Sequence, residues 1–392
     1  MRVERLRLED FRNYDRLEVE LSPGLNLVVG RNAQGKTNLL EAVYCLGGLG
    51  SPRSSDGALV RDGADRAFVH ARVVKGSRAV VVDMELRPGK GMRALINRAA
   101  VSGARELGEV TTAVFFGPDE LSLIKGSPDG RRRFVDDLVV KLRPVRDGLR
   151  REWERVLRQR NALLKTMPRG AGVASASSTL EVWDESLCRV GAAVAAARLD
   201  AVGRLAPYAR RRYAEISGGG RLELGYESSW LEKDTSEQAL THPGAVDESL
   251  LHKALAAALE EARVRELERG VSLVGPQRDD VSVGLASADG SGSGDERLLD
   301  ARSFASQGDQ RTAALGLKLA ESDLLAEALG ARPVLLLDDV FSELDPRRRS
   351  WLSSSVRELG QVFISSAEPG AIAAAKADRV FEVERGRVEV RE

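Results

Sequence analysis

The 392-residue chain has little of what covalent or metal-built scaffolds require: its only cysteines are Cys45 and Cys188, and its only histidines are His70, His242 and His252. Two separated cysteines make neither a disulfide framework nor a cysteine zinc site, and the histidines show no metal-ligand spacing. Long apolar runs are missing too. Stretches such as Val334–Leu337 and Ala192–Ala197 fall far short of the roughly 18 residues that a membrane-crossing helix needs. The start, Met1-Arg2-Val3-Glu4-Arg5, carries charges and no apolar stretch of the secretory kind, so the expected location is the reducing cytoplasm, with no membrane partner. Aromatic residues are scarce at 5%, which leaves few platforms for stacking unpaired bases. A charge imbalance is also absent. The 59 basic and 59 acidic residues cancel, which at first sight argues against a nucleic-acid partner. What is present, 43% hydrophobic and 30% charged residues, suits a packed protein of two to three domains.

The first thirty residues alternate apolar and charged positions, with Val3, Leu6, Leu8 and then Leu17, Val19, Leu21 inward, and this period of two predicts strands of a half-exposed sheet. Leu25–Val29 predicts a buried strand that runs into a glycine-rich turn, and Lys36–Leu46 continues at helical spacing. Further strands are expected over Ala67–Val74, Ala79–Leu86 and Thr112–Phe116. From about Arg131 the spacing becomes helical, with Phe134, Leu138, Leu142, Leu149, Trp153, Val156 and Leu157 three and four apart. Gly170–Ser178 is expected to be a mobile connection and Leu180–Leu205 a helix, with Pro207–Gly220 leading back to a strand at Leu222–Tyr226. Asp247–Arg269 predicts a helix stopped by Gly270, Ser287–Gly294 has linker composition, and a helix from about Gln310 to Leu329 stops at Gly330. The expected divisions are therefore 1–130, a mainly helical insertion over 131–270, and 271–392.

Three segments carry chemistry. Gly30-Arg31-Asn32-Ala33-Gln34-Gly35-Lys36-Thr37 matches G-x-x-x-x-G-K-[ST] between a predicted strand and a predicted helix, the context this phosphate-binding loop demands. Its backbone N–H groups, with Asn38 opening the helix, would wrap phosphate oxygens; Lys36 would neutralise charge and Thr37 ligate Mg²⁺. The second segment is Val334–Leu337 followed by Asp338-Asp339. An apolar run ending in two acids reads as a central parallel strand that presents Asp338 to the metal and Asp339 to an attacking water as general base. The third is Ser306-Gln307-Gly308-Asp309, a small-residue helix start that could offer a second anion site.

The order of these segments, with Ser342-Glu343-Leu344-Asp345 after the second strand, resembles the ABC-type ATPase heads. Within these, the chain resembles the RecF family of DNA replication and repair proteins. Phe11-Arg12-Asn13-Tyr14, Gly126-Ser127-Pro128, Arg131-Arg132-Arg133-Phe134, Gly275-Pro276-Gln277-Arg278-Asp279-Asp280 and Ser306–Thr312 carry that likeness. It implies an α/β fold: a P-loop ABC-type ATPase head with a β-rich N-terminal part and a helical insertion forming a second lobe. It also implies ATP and Mg²⁺ as cofactors, an ATP-dependent homodimer in which Ser306 and Gly308 contact the nucleotide held by the other protomer, DNA as partner, and RecO- and RecR-type mediators that help load the recombinase. Ser365 and Ser366 stand where many ABC ATPases place a histidine, and Asp339 replaces the commoner glutamate, so a weak ATPase working as a switch is expected. The ATPase subunit of a transporter is the alternative reading. Against it stand the 270 positions between Lys36 and Ser306 and the basic helices of the insertion.

Neutrality of the whole hides a local excess. From Arg131 to Arg169 there are thirteen basic residues against five acidic ones. Arg143, Arg146, Arg150 and Arg151 and then Arg155 and Arg158 follow at a spacing that would line one side of a helix. With Arg131, Arg132 and Arg133, these residues are expected to bind the backbone of duplex, gapped or junction DNA without sequence preference.

Overall fold

The computed structural model describes residues 1–54, 56–101, 104–167, 177–286, 298–367 and 377–391. The expectations for a mobile connection at 170–178 and a linker at 287–294 fall mostly or wholly outside them. The first sheet is an antiparallel meander of β1 (Arg2–Phe11), β4 (Ala67–Lys75), β5 (Arg78–Arg87), β6 (Gly91–Ile96) and β7 (Ala99–Val101), with β2 (Tyr14–Glu20) on the outer edge of β1. Register follows the pattern of two: Leu6 faces Val19 and Leu8 faces Leu17, so all four point to one buried face.

The second sheet has the order β15 (Arg387–Arg391), β14 (Arg379–Glu384), β3 (Leu25–Val29), β13 (Val362–Ser366), β12 (Val334–Leu337) and β8 (Ala113–Phe116). All pairings are parallel except the closing β14–β15 hairpin. Strands β3, β12 and β13 are buried along their whole length, as expected of parallel strands covered on both faces. Alternate side chains serve two cores. Val334, Leu336 and Phe363 pack with the meander and with α1 (Lys36–Cys45), whereas Leu335, Leu337 and Ile364 pack with the helices on the other side.

Those helices follow α2 (Ala104–Val110) and α3 (Ser122–Lys125). They are α4 (Pro128–Leu142), α5 (Asp147–Thr166), α6 (Ser177–Ser217), α7 (Lys233–Thr241), α8 (Glu248–Arg269), α9 (Ala301–Phe304), α10 (Gln307–Leu329) and α11 (Pro346–Ser355). Helix α10 starts three residues before its expected position because Ser306 caps it, accepting a hydrogen bond from the Asp309 amide; Gly330 ends it in the left-handed conformation at φ 63°.

Two expectations are corrected. Helix α6 does not end before Pro207: it runs on to Ser217, a length of roughly 60 Å at 1.5 Å per residue. Proline forfeits one backbone hydrogen bond, yet Ala209, Tyr213 and Ile216 are buried, and that burial outweighs a local loss of about 3 kcal/mol. The arginines from Arg143 to Arg158 also do not share one helix. Pro144 disfavours helical backbone at the residue before it, and Arg143 adopts φ −141° and ψ 84° between α4 and a short 3₁₀ turn that precedes α5.

A third, three-stranded sheet joins β9 (Arg221–Glu227), β10 (Asp280–Ala286) and β11 (Leu299–Asp300). The expected division at 270/271 passes through this sheet, with β9 before it and β10 and β11 after it. One apolar core continues from the parallel strands through α10 to α6 and α8.

Candidate functional site

The glycine-rich loop lies between β3 and α1, at the carboxyl ends of the parallel strands. Gly30 and Gly35 take φ 155° and 119°, where a side chain is strained, and Ala33 takes φ 63°. A Cβ on Gly30 would lie 2.3 Å from the Val383 carbonyl oxygen, so β14 allows nothing larger there. Lys36 Nζ donates to the carbonyls of Gly30 and Arg31 at 2.8 and 3.0 Å. Burial lowers the Lys36 ammonium from its ordinary value, opposed by the nearby Asp339 and Asp338 carboxylates.

Thr37 Oγ1 donates to the Asp338 carboxylate, lying 2.9 and 2.8 Å from its two oxygens. Ser365, fully buried on β13, donates to Asp338 Oδ1 at 2.6 Å and accepts from the Asp339 amide at 2.9 Å. Asp339 itself sits in the left-handed region at φ 50°. Hydroxyl and carboxylate oxygens at this spacing are a hard donor pair of the kind Mg²⁺ takes. The cleft over this group measures about 380 Å³ and is lined by loop residues Asn32, Ala33, Gly35, Lys36, Thr37 and Asn38, and also by Asp338, Asp339, Ser365, Arg53 and Asp119.

The Phe11–Tyr14 turn supports the loop from behind. Asn13 Nδ2 donates to the Gln34 carbonyl, Tyr14 Oη to the Gly35 carbonyl, and Asn38 Nδ2 to Asn13 Oδ1. The Gly386 amide also reaches the Gln34 carbonyl, and the Arg385 amide reaches Gln34 Oε1. Arg12, at φ 55°, makes a two-point ion pair with buried Glu41 of α1 at 2.8 Å.

Ser306, Gln307 and Gly308 do not line that cleft. They open α10 elsewhere, where Arg348 of α11 donates to the Gly308 carbonyl and to Asp309 at 3.1 Å and pairs with Asp345 at 3.2 Å. Arg348 therefore ties the Ser306–Asp309 signature segment to the Ser342–Asp345 loop.

The family model described as RecF/RecN/SMC N terminal domain matches residues 2–390. A protein of Streptomyces avermitilis named DNA replication and repair protein RecF is 44% identical over 99% of this chain and 100% of its own length. A like-named protein of Beutenbergia cavernae is 42% identical over 94% of each chain. The chain belongs to the RecF family.

Among solved structures, the recombination mediator protein RecF-ATPrS in the RecFOR pathway superposes with a TM-score of 0.85 at 28% identity, covering 100% of this chain and 98% of that one. An Smc head domain of Pyrococcus furiosus shares the fold at a TM-score of 0.54 and 16% identity. The fold is thus the ABC-type head that RecF and SMC proteins have in common, as expected, and the transporter alternative is not favoured. Among the described residues no helix is long and apolar enough to cross a membrane.

The arginines expected to meet DNA divide into two groups. Arg131 is buried, with a two-point pair to Asp280 at 2.8 and 2.7 Å and a bond to the Gly126 carbonyl. Arg132 is mostly covered and donates to the Asp279 carbonyl and to Asp129. Both are committed within the chain, because the Gly275–Asp280 segment needs cationic partners. Arg198 likewise bridges Asp136 and the Pro276 carbonyl. Within this segment Asp279 accepts from Tyr226 Oη and Trp230 Nε1, and burial pushes its carboxyl up to about 6. Arg133, Arg143 and Arg150 are exposed and Arg146 half-buried. Of these, Arg150 is 3.0 Å from Glu154 and Arg143 is 3.8 Å from Asp200. Arg210, Arg211 and Arg212 pair with Glu223 and Asp323.

Proposed function

We propose that this chain is an ATP-gated DNA-binding protein of recombinational repair, located in the cytoplasm. Two copies would close on ATP and Mg²⁺, hold duplex DNA near single-strand gaps or junctions, and let go after slow hydrolysis. The observation that carries the reading is the convergence of the Gly30–Thr37 loop with Thr37, Asp338 and Ser365 in one cleft, while the signature serine opens a helix outside it.

Each residue then has a task. The loop amides and Lys36 bind phosphate oxygens at the N-terminus of α1. Thr37 and Asp338 supply the oxygens for Mg²⁺, which when bound offsets charge on the phosphates. Ser365 holds Asp338 in place, and Asp339 orients a water and accepts its proton. Ser306 and Gly308, which do not line the cleft of their own chain, would complete the cleft of a second copy. Arg133, Arg143, Arg146 and Arg150, which unlike Arg131 and Arg132 reach the surface, would contact the DNA backbone. The RecFOR pathway named for the solved relative supports RecO- and RecR-type mediators as partners.

Sedimentation of the wild type and Lys36→Met with and without ATP tests the switch. The wild type is expected to dimerise with ATP only and the variant not at all; a variant that dimerises like the wild type contradicts the assignment.

A further inference from the structure

Arg133, Arg146 and Arg150 border one groove. Between α4, α5 and α6 lies a cavity of about 310 Å³, at the small end of the roughly 300–1,000 Å³ typical of ligand sites. Leu149, Trp153 and Leu157 form part of an apolar floor, and Arg133, Arg146 and Arg150 stand in its lining. The carboxylates in the same lining are already engaged: Asp136 by Arg198, Asp129 by Arg132 and Glu154 by Arg150. Arg133 and Arg146 are left as the cationic surplus. Arg151, Arg155 and Arg158 are also exposed, but they lie on another side of α5 from the apolar floor, and Arg151 pairs with Asp147.

A cationic surplus beside an apolar floor matches a ligand that carries phosphate oxygens and one flat apolar group together, which is what a nucleotide is. We propose that this groove seats a single unpaired nucleotide at the edge of a gap, its phosphates on Arg133 and Arg146 and its base removed from water against Leu149, Trp153 and Leu157. A base held in a duplex stack cannot enter, so the groove distinguishes a gap edge from continuous duplex. This rests on the DNA-binding reading above and gives it a means of junction recognition. It also supplies an apolar base site that the scarcity of aromatic residues had argued against.

The test compares affinity for gapped and continuous duplex in the wild type and in Ala197→Phe, which fills the groove from α6 without removing charge. Leu149→Gln, which makes the half-buried edge polar without changing charge, is the second variant should the first fail to fold. The wild type is expected to favour gapped DNA by about tenfold, the worth of one desolvated base, and each folded variant to lose that preference while binding continuous duplex within about twofold of the wild type. An unchanged preference in the variants, or none in the wild type, overturns the proposal. So does loss of binding to a RecR-type mediator with both DNA affinities intact, which would make the groove a protein-docking site. Absence of any duplex binding by the wild type would instead fail the DNA-binding reading itself.

Discussion

Replacing Ser365 by alanine removes one oxygen from a fully buried position and tests how Asp338, the carboxylate proposed to hold Mg²⁺, is oriented. That oxygen donates to Asp338 Oδ1 at 2.6 Å and accepts from the Asp339 amide at 2.9 Å. A hydrogen bond to an ionised group is worth about 1.5–3 kcal/mol, and the amide left without a partner costs about 1–3 kcal/mol. Part of that loss would appear as reduced stability. The part that falls on the orientation of Asp338 and Asp339 in the transition state, taken as about 1.5–3 kcal/mol, lowers turnover roughly tenfold to a hundredfold at about 1.4 kcal/mol per decade. Because Asp338 pairs with Thr37 at the expected metal position, the Mg²⁺ concentration for half-maximal ATP turnover should rise as well. Steady-state ATPase assays across a Mg²⁺ titration, with ATP affinity measured separately without metal, resolve these effects. Turnover and Mg²⁺ requirement within twofold of the wild type, in a variant that melts cooperatively, would refute the view that Ser365 positions the acidic pair.

Arg348→Ala cuts the partly covered bridge from α11 to Gly308 and Asp309, so ATP-dependent dimerisation should weaken about tenfold while the monomer's ATP affinity holds; sedimentation and nucleotide titration measure the two. Arg160→Met leaves Glu266 and Asp184 without the buried guanidinium that lies 2.7 and 2.6 Å away, and the expected loss is about 3–5 kcal/mol, read from denaturant unfolding. Asp279 has its folded carboxyl raised to about 6, so between about pH 4 and 6 the native state binds more protons than the unfolded chain. Stability from this group is present at the low end and falls as pH rises through that window, by about 3 kcal/mol at most. The difference in unfolding free energy between wild type and Asp279→Asn should therefore shift in the variant's favour from pH 4 to 6, and a pH-independent difference would contradict it.

The phosphate loop, the acidic strand end and the capped start of α10 were legible because each combines a short fixed spacing with an apolar strand or helix beside it. The alternating strands from Arg2 to Glu20 were legible for the same reason, since the period of two is local. What escaped depends on partners far along the chain. Pro207 reads as a break, and only the burial of Ala209, Tyr213 and Ile216 shows why α6 passes through it. Arg131 reads as a surface cation until Asp280, 149 positions away, is seen to hold it. Ser365 stood out only as a departure from the histidine of other ATPases, and its bonds to Asp338 and Asp339 depend on strands β12 and β13 lying side by side. Net neutrality misled for a related reason, because it sums over the whole chain charges that the fold separates.

Whether ATP assembles a DNA-binding dimer is decided by equilibrium binding to labelled duplex and gapped DNA with ATP, with ADP and without nucleotide, at about 50 and about 200 mM salt. If Arg133, Arg143, Arg146 and Arg150 of each protomer all neutralise phosphates, the log–log salt slope should be about −7 for the ATP-bound dimer and about half that without ATP, with ATP strengthening binding at least tenfold at the lower salt. Binding that ignores both nucleotide and salt would contradict the account.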